Sequence, residues 1–232
     1  MSRTSQVAGL ALAFVAVTGI GLFAVNSGGG SGSEPSPAPN ASAATPELMA
    51  TSAFNSGVKH LNNGDKAELK AAAAKGADTD KAMKQAADEY GRALKDFQKA
   101  VELSPTMHRA YNGLGYAYRK TGDYATALKN YDKALQISPD FADAIEYRGE
   151  AYLGLNRTED AKQAYLKLFA SDRSHSDILL KAMKAWVEKR HADPAGVDPA
   201  AIAAFDGWIQ QRAELADRTV NMARVTPQSS WR

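Results

Sequence analysis

The chain has 232 residues, a formal net charge of +2 and 44% hydrophobic residues, enough for one modest domain with tails. The near balance of charge gives no electrostatic reason to expect a nucleic-acid-binding surface. Cysteine is absent, which excludes disulfides, thiolate metal sites, cysteine nucleophiles and lipid attachment to cysteine. The histidines are scattered without the spacing of a helical metal site, so neither a metal nor another cofactor is expected.

Residues 7–25, VAGLALAFVAVTGIGLFAV, are apolar apart from Thr18 and predict one membrane-spanning helix. Arg3, the only charge before this run, should stay in the cytoplasm, which places the rest of the chain on the other side. The simple anchor and the short, alanine-rich chain favour the inner membrane of a bacterium, with the folded part in the periplasm. The alternative is a cleaved signal peptide and a periplasmic or secreted protein, although no cleavage site lies close to the apolar run.

Residues 26–47 are rich in Gly, Ser, Pro and Ala. This composition cannot bury enough apolar surface to fold, so it predicts a flexible linker.

A sequence repeat follows the linker. Residues 93–105, ALKDFQKAVELSP, align with residues 127–139, ALKNYDKALQISP, at an offset of 34 residues. A further shift of 34 places Gly115 over Gly149. Two amphipathic helices in each 34-residue unit predict an all-α solenoid, because helices this short need neighbours to cover their apolar faces.

The repeat resembles the tetratricopeptide repeat (TPR) family. In the best copy the resemblance is carried by Tyr111, Leu114, Gly115, Tyr118, Gly122, Asp123, Tyr124, Ala127, Tyr131, Ala134 and Pro139. The next copy departs from the family at Arg148, where leucine is usual, and at Arg173, where proline is usual. We expect the glycines to allow close helix approach, the tyrosines to fill gaps between units, and Pro105 and Pro139 to stop the second helices.

The first of about three repeats is interrupted. Residues 53–65, AFNSGVKHLNNGD, predict a first helix with Gly57 at the close approach and a turn at Gly64-Asp65. An insertion at 66–89, rich in Ala, Lys and Glu, favours helix on both sides of Gly76 and extends the second helix back to about Thr79. The apolar face expected for this second helix consists of Met83, Ala87, Tyr90, Leu94 and Phe97.

We interpret the insertion as a lengthened hairpin with a solvated outer face. The alternative is an element dedicated to partner binding.

Two helices are predicted to cap the solenoid, one at 176–190 and one from Asp198 to about Arg224. The second carries a stripe formed by Ile202, Phe205, Ile209, Ala213, Ala216 and Val220, with Trp208 at its edge. This stripe could instead be the seam of a homodimer.

The predicted divisions are the anchor or signal at 1–25, the linker at 26–47, the TPR solenoid at 48–173, the capping helices at 174–224 and a mobile tail at 225–232.

The resemblance implies a concave groove, lined by the first helices of successive repeats, that binds a peptide or helix of a protein partner. By register, the lining residues are Thr51, Phe54, Val58 and Leu61 in the first unit, Arg109, Asn112, Tyr116 and Arg119 in the second, and Asp143, Glu146, Glu150 and Leu153 in the third. The groove would have an apolar end, a basic middle and an acidic end. The alternative is that these residues are ordinary solvated faces.

The sequence argues against one type of TPR groove. The positions at which chaperone-binding members of the family hold a C-terminal carboxylate here carry Phe54, Val58, Gly113, Asp143 and Tyr147. The required cations are missing, so that function is not expected.

No catalytic constellation is present in the sequence. We therefore expect a membrane-tethered, non-enzymatic adaptor that assists assembly of an envelope complex. The alternatives are a self-associating structural protein, joined through its last helix or the insertion, and a non-catalytic subunit that positions an enzyme.

Overall fold

A computed structural model describes residues 45–225, which form eight helices and no strand. The helices are α1 (Pro46–Ala73), α2 (Ala77–Leu103), α3 (His108–Lys120), α4 (Tyr124–Ile137), α5 (Ala142–Gly154), α6 (Thr158–Ser171), α7 (Arg173–Ala192) and α8 (Pro199–Val225). The predicted all-α class, with TPR-type helical hairpins, is confirmed over these residues.

Several predicted features lie outside the described residues: the membrane-spanning run at 7–25, nearly all of the linker, and the tail from 226. Within 45–225, no helix is both long enough and apolar enough to cross a bilayer. The linker ends slightly earlier than predicted, because α1 already begins at Pro46. The Thr45 side chain caps this helix by accepting a hydrogen bond of 3.3 Å from the Leu48 amide.

The chain divides into two compact units, Met1–Gly113 and Leu114–Arg232, and the division falls within α3. Of the described residues, the first unit holds α1, α2 and the beginning of α3. The second unit holds the rest of α3 and α4 to α8.

In the first unit, the prediction of a turn at Gly64-Asp65 is wrong, since α1 continues through these residues to Ala73. Gly64 is needed instead for close packing: a Cβ atom there would lie 2.5 Å from the Tyr90 ring. The Tyr90 hydroxyl donates a hydrogen bond of 2.7 Å to the adjacent Asp65 carboxylate. Gly57 has the predicted close-approach role, with Phe97 as the ring against it.

The insertion lengthens both helices of this hairpin, as the favoured interpretation predicts. The chain turns at Gly76, whose φ of 59° suits glycine, and α2 begins immediately afterwards. The expected apolar face of α2 is partly correct. Tyr90 and Phe97 are buried, Met83 and Leu94 are half-buried, and Ala87 is exposed.

In the second unit, α5 contacts α4, α6 and α7. Tyr131 of α4 is fully buried and lies against Gly115 of α3, where a Cβ atom would be 2.5 Å from the ring. The same ring lies 6.3 Å, centroid to centroid, from Tyr147 of α5. Tyr131 therefore fills the predicted gap between successive hairpins and also packs within its own hairpin.

The two C-terminal helices form where the sequence predicts them. Phe205 of α8 is buried and its ring meets Trp186 of α7 edge-on at 5.5 Å. The Trp186 indole N–H in turn donates a hydrogen bond of 2.8 Å to the Leu153 carbonyl of α5. The beginning of the α8 stripe is thus covered within this unit; association of two chains stays a prediction.

We expect Gly64→Ala to destabilise the chain by about 1–3 kcal/mol, because the added methyl group would overlap the buried Tyr90 ring. Gly91→Ala is the matched control on the facing helix of the same hairpin. Its methyl group would meet nothing within 4 Å, so it should stabilise by up to about 1 kcal/mol through helix propensity. Urea denaturation followed by circular dichroism measures both. Equal effects of the two substitutions would contradict the packing role of Gly64.

Candidate functional site

The residues predicted for the apolar end of the groove lie in the first unit. Phe54 of α1 is buried and its ring lies 5.7 Å from that of Phe97. The guanidinium carbon of Arg109 lies 5.1 Å from the centre of the Phe54 ring, within the range of a cation–π contact. Leu61 and Asn112 are buried and Val58 is half-buried. The structure therefore brings Phe54 and Arg109 together.

The second unit contains an ion pair at the end of α3. The Arg119 guanidinium is paired with the Glu150 carboxylate of α5, and the two side chains are only 13% and 8% exposed. The guanidinium carbon lies 4.9 Å from the centre of the Tyr116 ring and 5.3 Å from that of Tyr147. These two rings meet edge-on at 5.1 Å. A charged pair is thus enclosed by two aromatic rings.

Two polar atoms of the ion pair are unused, in the sense that they make no hydrogen bond. Arg119 Nε and Glu150 Oε1 are buried and have no hydrogen-bond partner in the described part of the chain. A buried polar group without a partner costs about 1–3 kcal/mol. One donor and one acceptor beside two tyrosine rings match the hydrogen-bonding groups of a peptide bond.

Further carboxylates lie beside this pair, at the expected acidic end. Glu146 of α5 is buried, and its Oε2 atom lies 4.0 Å from Nε2 of His175 on α7. The same nitrogen lies 3.6 Å from Oδ1 of Asp143. Asp172 caps α7 by accepting a hydrogen bond of 3.1 Å from the His175 amide, and its other oxygen lies 2.9 Å from His175 Nδ1.

This environment keeps a proton on Glu146. Burial, followed by the negative charge of Glu150, raises the pKa of the Glu146 carboxyl from 4.5 to about 9, and Arg119 only partly opposes this. Burial and then the charges of Glu146 and Asp143 also raise the pKa of Tyr147. At neutral pH, Glu146 is therefore an uncharged acid.

Four of the predicted lining residues, namely Tyr116, Arg119, Glu146 and Glu150, are brought together in the second unit, with Asp143 at their edge. That all twelve predicted lining residues form a single groove stays a prediction. Tyr147, which the sequence places at a groove position but not among the predicted lining residues, belongs to this cluster. So does His175, which the sequence does not single out. Helical spacing could have found Tyr147, since it lies four residues after Asp143. His175 comes from a distant helix and gives no such signal.

The tetratricopeptide repeat family matches the chain at residues 108–141 and again at 148–175. These segments fall in the second and third predicted units, so the chain contains tetratricopeptide repeats. Such repeats mediate protein–protein interaction. A comparison with curated proteins finds no significant match.

Solved structures that match this chain include the following three. The first TPR domain of the human RPAP3 protein, solved by NMR, has 19% identity and a TM-score of 0.46, covering 63% of this chain and 98% of that chain. The first TPR of Spaghetti (RPAP3), bound to the HSP90 peptide SRMEEVD, has 18% identity and a TM-score of 0.40, covering 57% and 94%. The MamA protein crystal structure has 21% identity and a TM-score of 0.33, covering 65% and 79%.

The raised pKa of Glu146 predicts a pH-dependent stability. The folded chain holds this proton more tightly than the unfolded chain, so stability should fall as pH rises from 4.5 to about 9. The loss approaches about 1.4 kcal/mol per pH unit. Glu146→Gln has no proton to lose, so its melting temperature at about pH 8 should exceed that of the wild type by about 5 °C or more.

At about pH 5 the two proteins should melt close together, because the wild-type carboxyl is protonated in most folded chains and in many unfolded ones. Glu159→Gln, an exposed site on α6, is the control and should follow the wild type at both pH values. A Glu146→Gln protein that melts below the wild type at about pH 8 would contradict the buried protonated carboxyl.

Proposed function

We propose that this chain is a membrane-tethered, non-enzymatic adaptor whose repeats bind a peptide or helix of a protein partner and assist assembly of an envelope complex. The observation that carries the proposal is the enclosed Arg119–Glu150 pair, which keeps one donor and one acceptor unused beside the Tyr116 and Tyr147 rings.

Two properties of this cluster favour a protein ligand. Tyrosine rings provide large contact areas with little conformational entropy to lose, and they are enriched among the residues that dominate binding energies. The unused donor would be satisfied by a main-chain carbonyl of a bound segment, and the unused acceptor by an N–H group of its main chain or side chains. A polypeptide therefore matches the cluster better than an apolar small molecule does.

The tether rests on the sequence of residues 7–25 and on the composition of the linker. A flexible linker of about 20 residues has a root-mean-square span of about 25 Å. The repeats would then reach partners close to the membrane surface from which they are suspended, which suits a component of a membrane-bound assembly.

Partner capture tests the binding role. Replacing Arg119 alone would leave the buried Glu150 charge unpaired at a cost of about 3–5 kcal/mol, so both residues are changed together, as Arg119→Gln with Glu150→Gln. The full chain, with and without this change or Tyr116→Ala, is crosslinked in its native host and the captured proteins are identified by mass spectrometry.

We expect the wild type to capture a defined partner and both variants to lose it while keeping wild-type circular dichroism. Gly91→Ala, which lies on α2 of the first unit, is the control and should keep the partner. Unchanged capture by both Tyr116→Ala and the double variant would show that this cluster is not the binding site.

The tether is tested by cell fractionation. The full chain should sediment with membranes, and deletion of residues 1–25 should release it. In bacterial spheroplasts, protease added outside should digest the repeats of the full chain, since the folded part is proposed to lie beyond the cytoplasm. If the repeats were protected in intact spheroplasts and digested only after lysis, they would lie in the cytoplasm and the proposed orientation would be wrong.

A further inference from the structure

The acidic end of the second unit has an excess of carboxyl groups. Asp143, Glu146 and Glu150 of α5 face Asp172 at the start of α7, and each of the other three raises the pKa of Glu146 by its charge. Arg119 lowers the pKa of Glu146 by its positive charge, but its guanidinium is already paired with Glu150. The cluster therefore favours an additional cation.

A second observation also indicates a missing donor. The Glu150 side chain is only 8% exposed, yet its Oε1 atom has no hydrogen-bond partner among residues 45–225. A buried carboxylate oxygen in this state is stabilised most by a charged N–H donor. Metal ions are a poor alternative occupant, since no group of His, Asp and Glu in the described residues has an arrangement that could hold one.

The outer members of the cluster are partly exposed to solvent. The Asp143 and Asp172 side chains are 34% and 35% exposed, and that of His175 is 25% exposed, whereas Glu146 beneath them is 4% exposed. A cationic side chain arriving from solvent would meet the more exposed carboxyl groups of Asp143 and Asp172 before that of Glu146.

We propose that this acidic end, formed by Asp143, Glu146 and Glu150 of α5 and by Asp172, binds an arginine or lysine side chain of the partner segment, and that Glu146 releases its proton to solvent as the cation binds. This inference rests on the proposed binding function and specifies the charge of the partner. The positive charge replaces the proton: it stabilises the ionised carboxylate that burial and the neighbouring charges otherwise disfavour.

The groups that face Glu146 determine how its proton responds to pH. They are Asp143, Tyr147 and Glu150 on α5, Arg119 from α3, Tyr131 from α4, and Asp172 and His175 from α7. A histidine can also change charge near neutral pH, so His175 is tested separately.

The probes are three capped, fluorescent nonapeptides that differ at the same three positions. One peptide carries arginine at all three, the second glutamine and the third glutamate. Arginine stays charged throughout the pH range used. Binding to the full chain in detergent is measured by fluorescence anisotropy between about pH 7 and about pH 9, and proton release by calorimetry in two buffers of different ionisation enthalpy.

We expect the arginine peptide to bind more tightly than the other two, with an affinity that rises by up to about tenfold per pH unit as up to one proton is released. Glu146→Gln should remove both the rise and the proton release, and His175→Gln should keep them. Asp143→Asn should weaken binding at every pH. Glu159→Gln is the matched control: it removes one negative charge from an exposed position of α6 and should change the affinity less than about twofold.

Three outcomes would overturn the proposal. The glutamine peptide could bind as tightly as the arginine peptide, or the affinity of the wild type for the arginine peptide could stay constant with pH. Glu159→Gln could also weaken binding as much as Asp143→Asn does. A pH dependence that persists in Glu146→Gln would overturn it as well. Failure of the arginine peptide to bind, together with partner capture in cells that depends on Tyr116, would overturn this inference and leave the adaptor role standing.

Discussion

The packing of both units depends on contacts between a glycine and an aromatic ring. At three close contacts between helices, one helix contributes a glycine and the other a ring that occupies the place of the missing Cβ atom. Phe97 lies against Gly57, Tyr90 against Gly64, and Tyr131 against Gly115. Because each ring is buried and close-packed, the helices have little freedom to slide, and the residues on their other faces are held in register.

This constraint also positions the candidate site. Tyr131 is fixed between α3 and α5 by its contacts with Gly115 and Tyr147. Arg119 lies one helical turn after Gly115 on α3, so its direction follows from the same contact. The guanidinium therefore reaches Glu150 and lies beside the Tyr147 ring, and all three side chains belong to packed helices. A site built on packed helices holds its geometry better than one built on loops.

The sequence predicts the helical hairpins well, because their periodicity and their glycines and prolines are local signals. It fails at Gly64-Asp65, where glycine followed by aspartate is typical of a turn. The decisive fact there is that Tyr90, on another helix, needs the space of a side chain. For the site, the spacing of Asp143, Glu146 and Glu150 along one face of α5 is readable from the sequence. The position of His175 beside Glu146 cannot be read from the sequence, because it depends on how α7 packs against α5.

The cluster in the second unit also differs in chemistry from the surrounding core. Most buried side chains of the described residues are apolar, whereas this cluster buries an ion pair with two unused polar atoms and a carboxyl group that keeps its proton. A buried ion pair is often less stabilising than well-packed apolar residues of the same size, and unused polar atoms add to the cost. Departures from local packing rules of this kind are expected where a protein binds something, since a ligand can satisfy what the fold leaves unsatisfied. The same cost makes a bound donor or cation more favourable here than at an exposed surface, where water already satisfies every polar group.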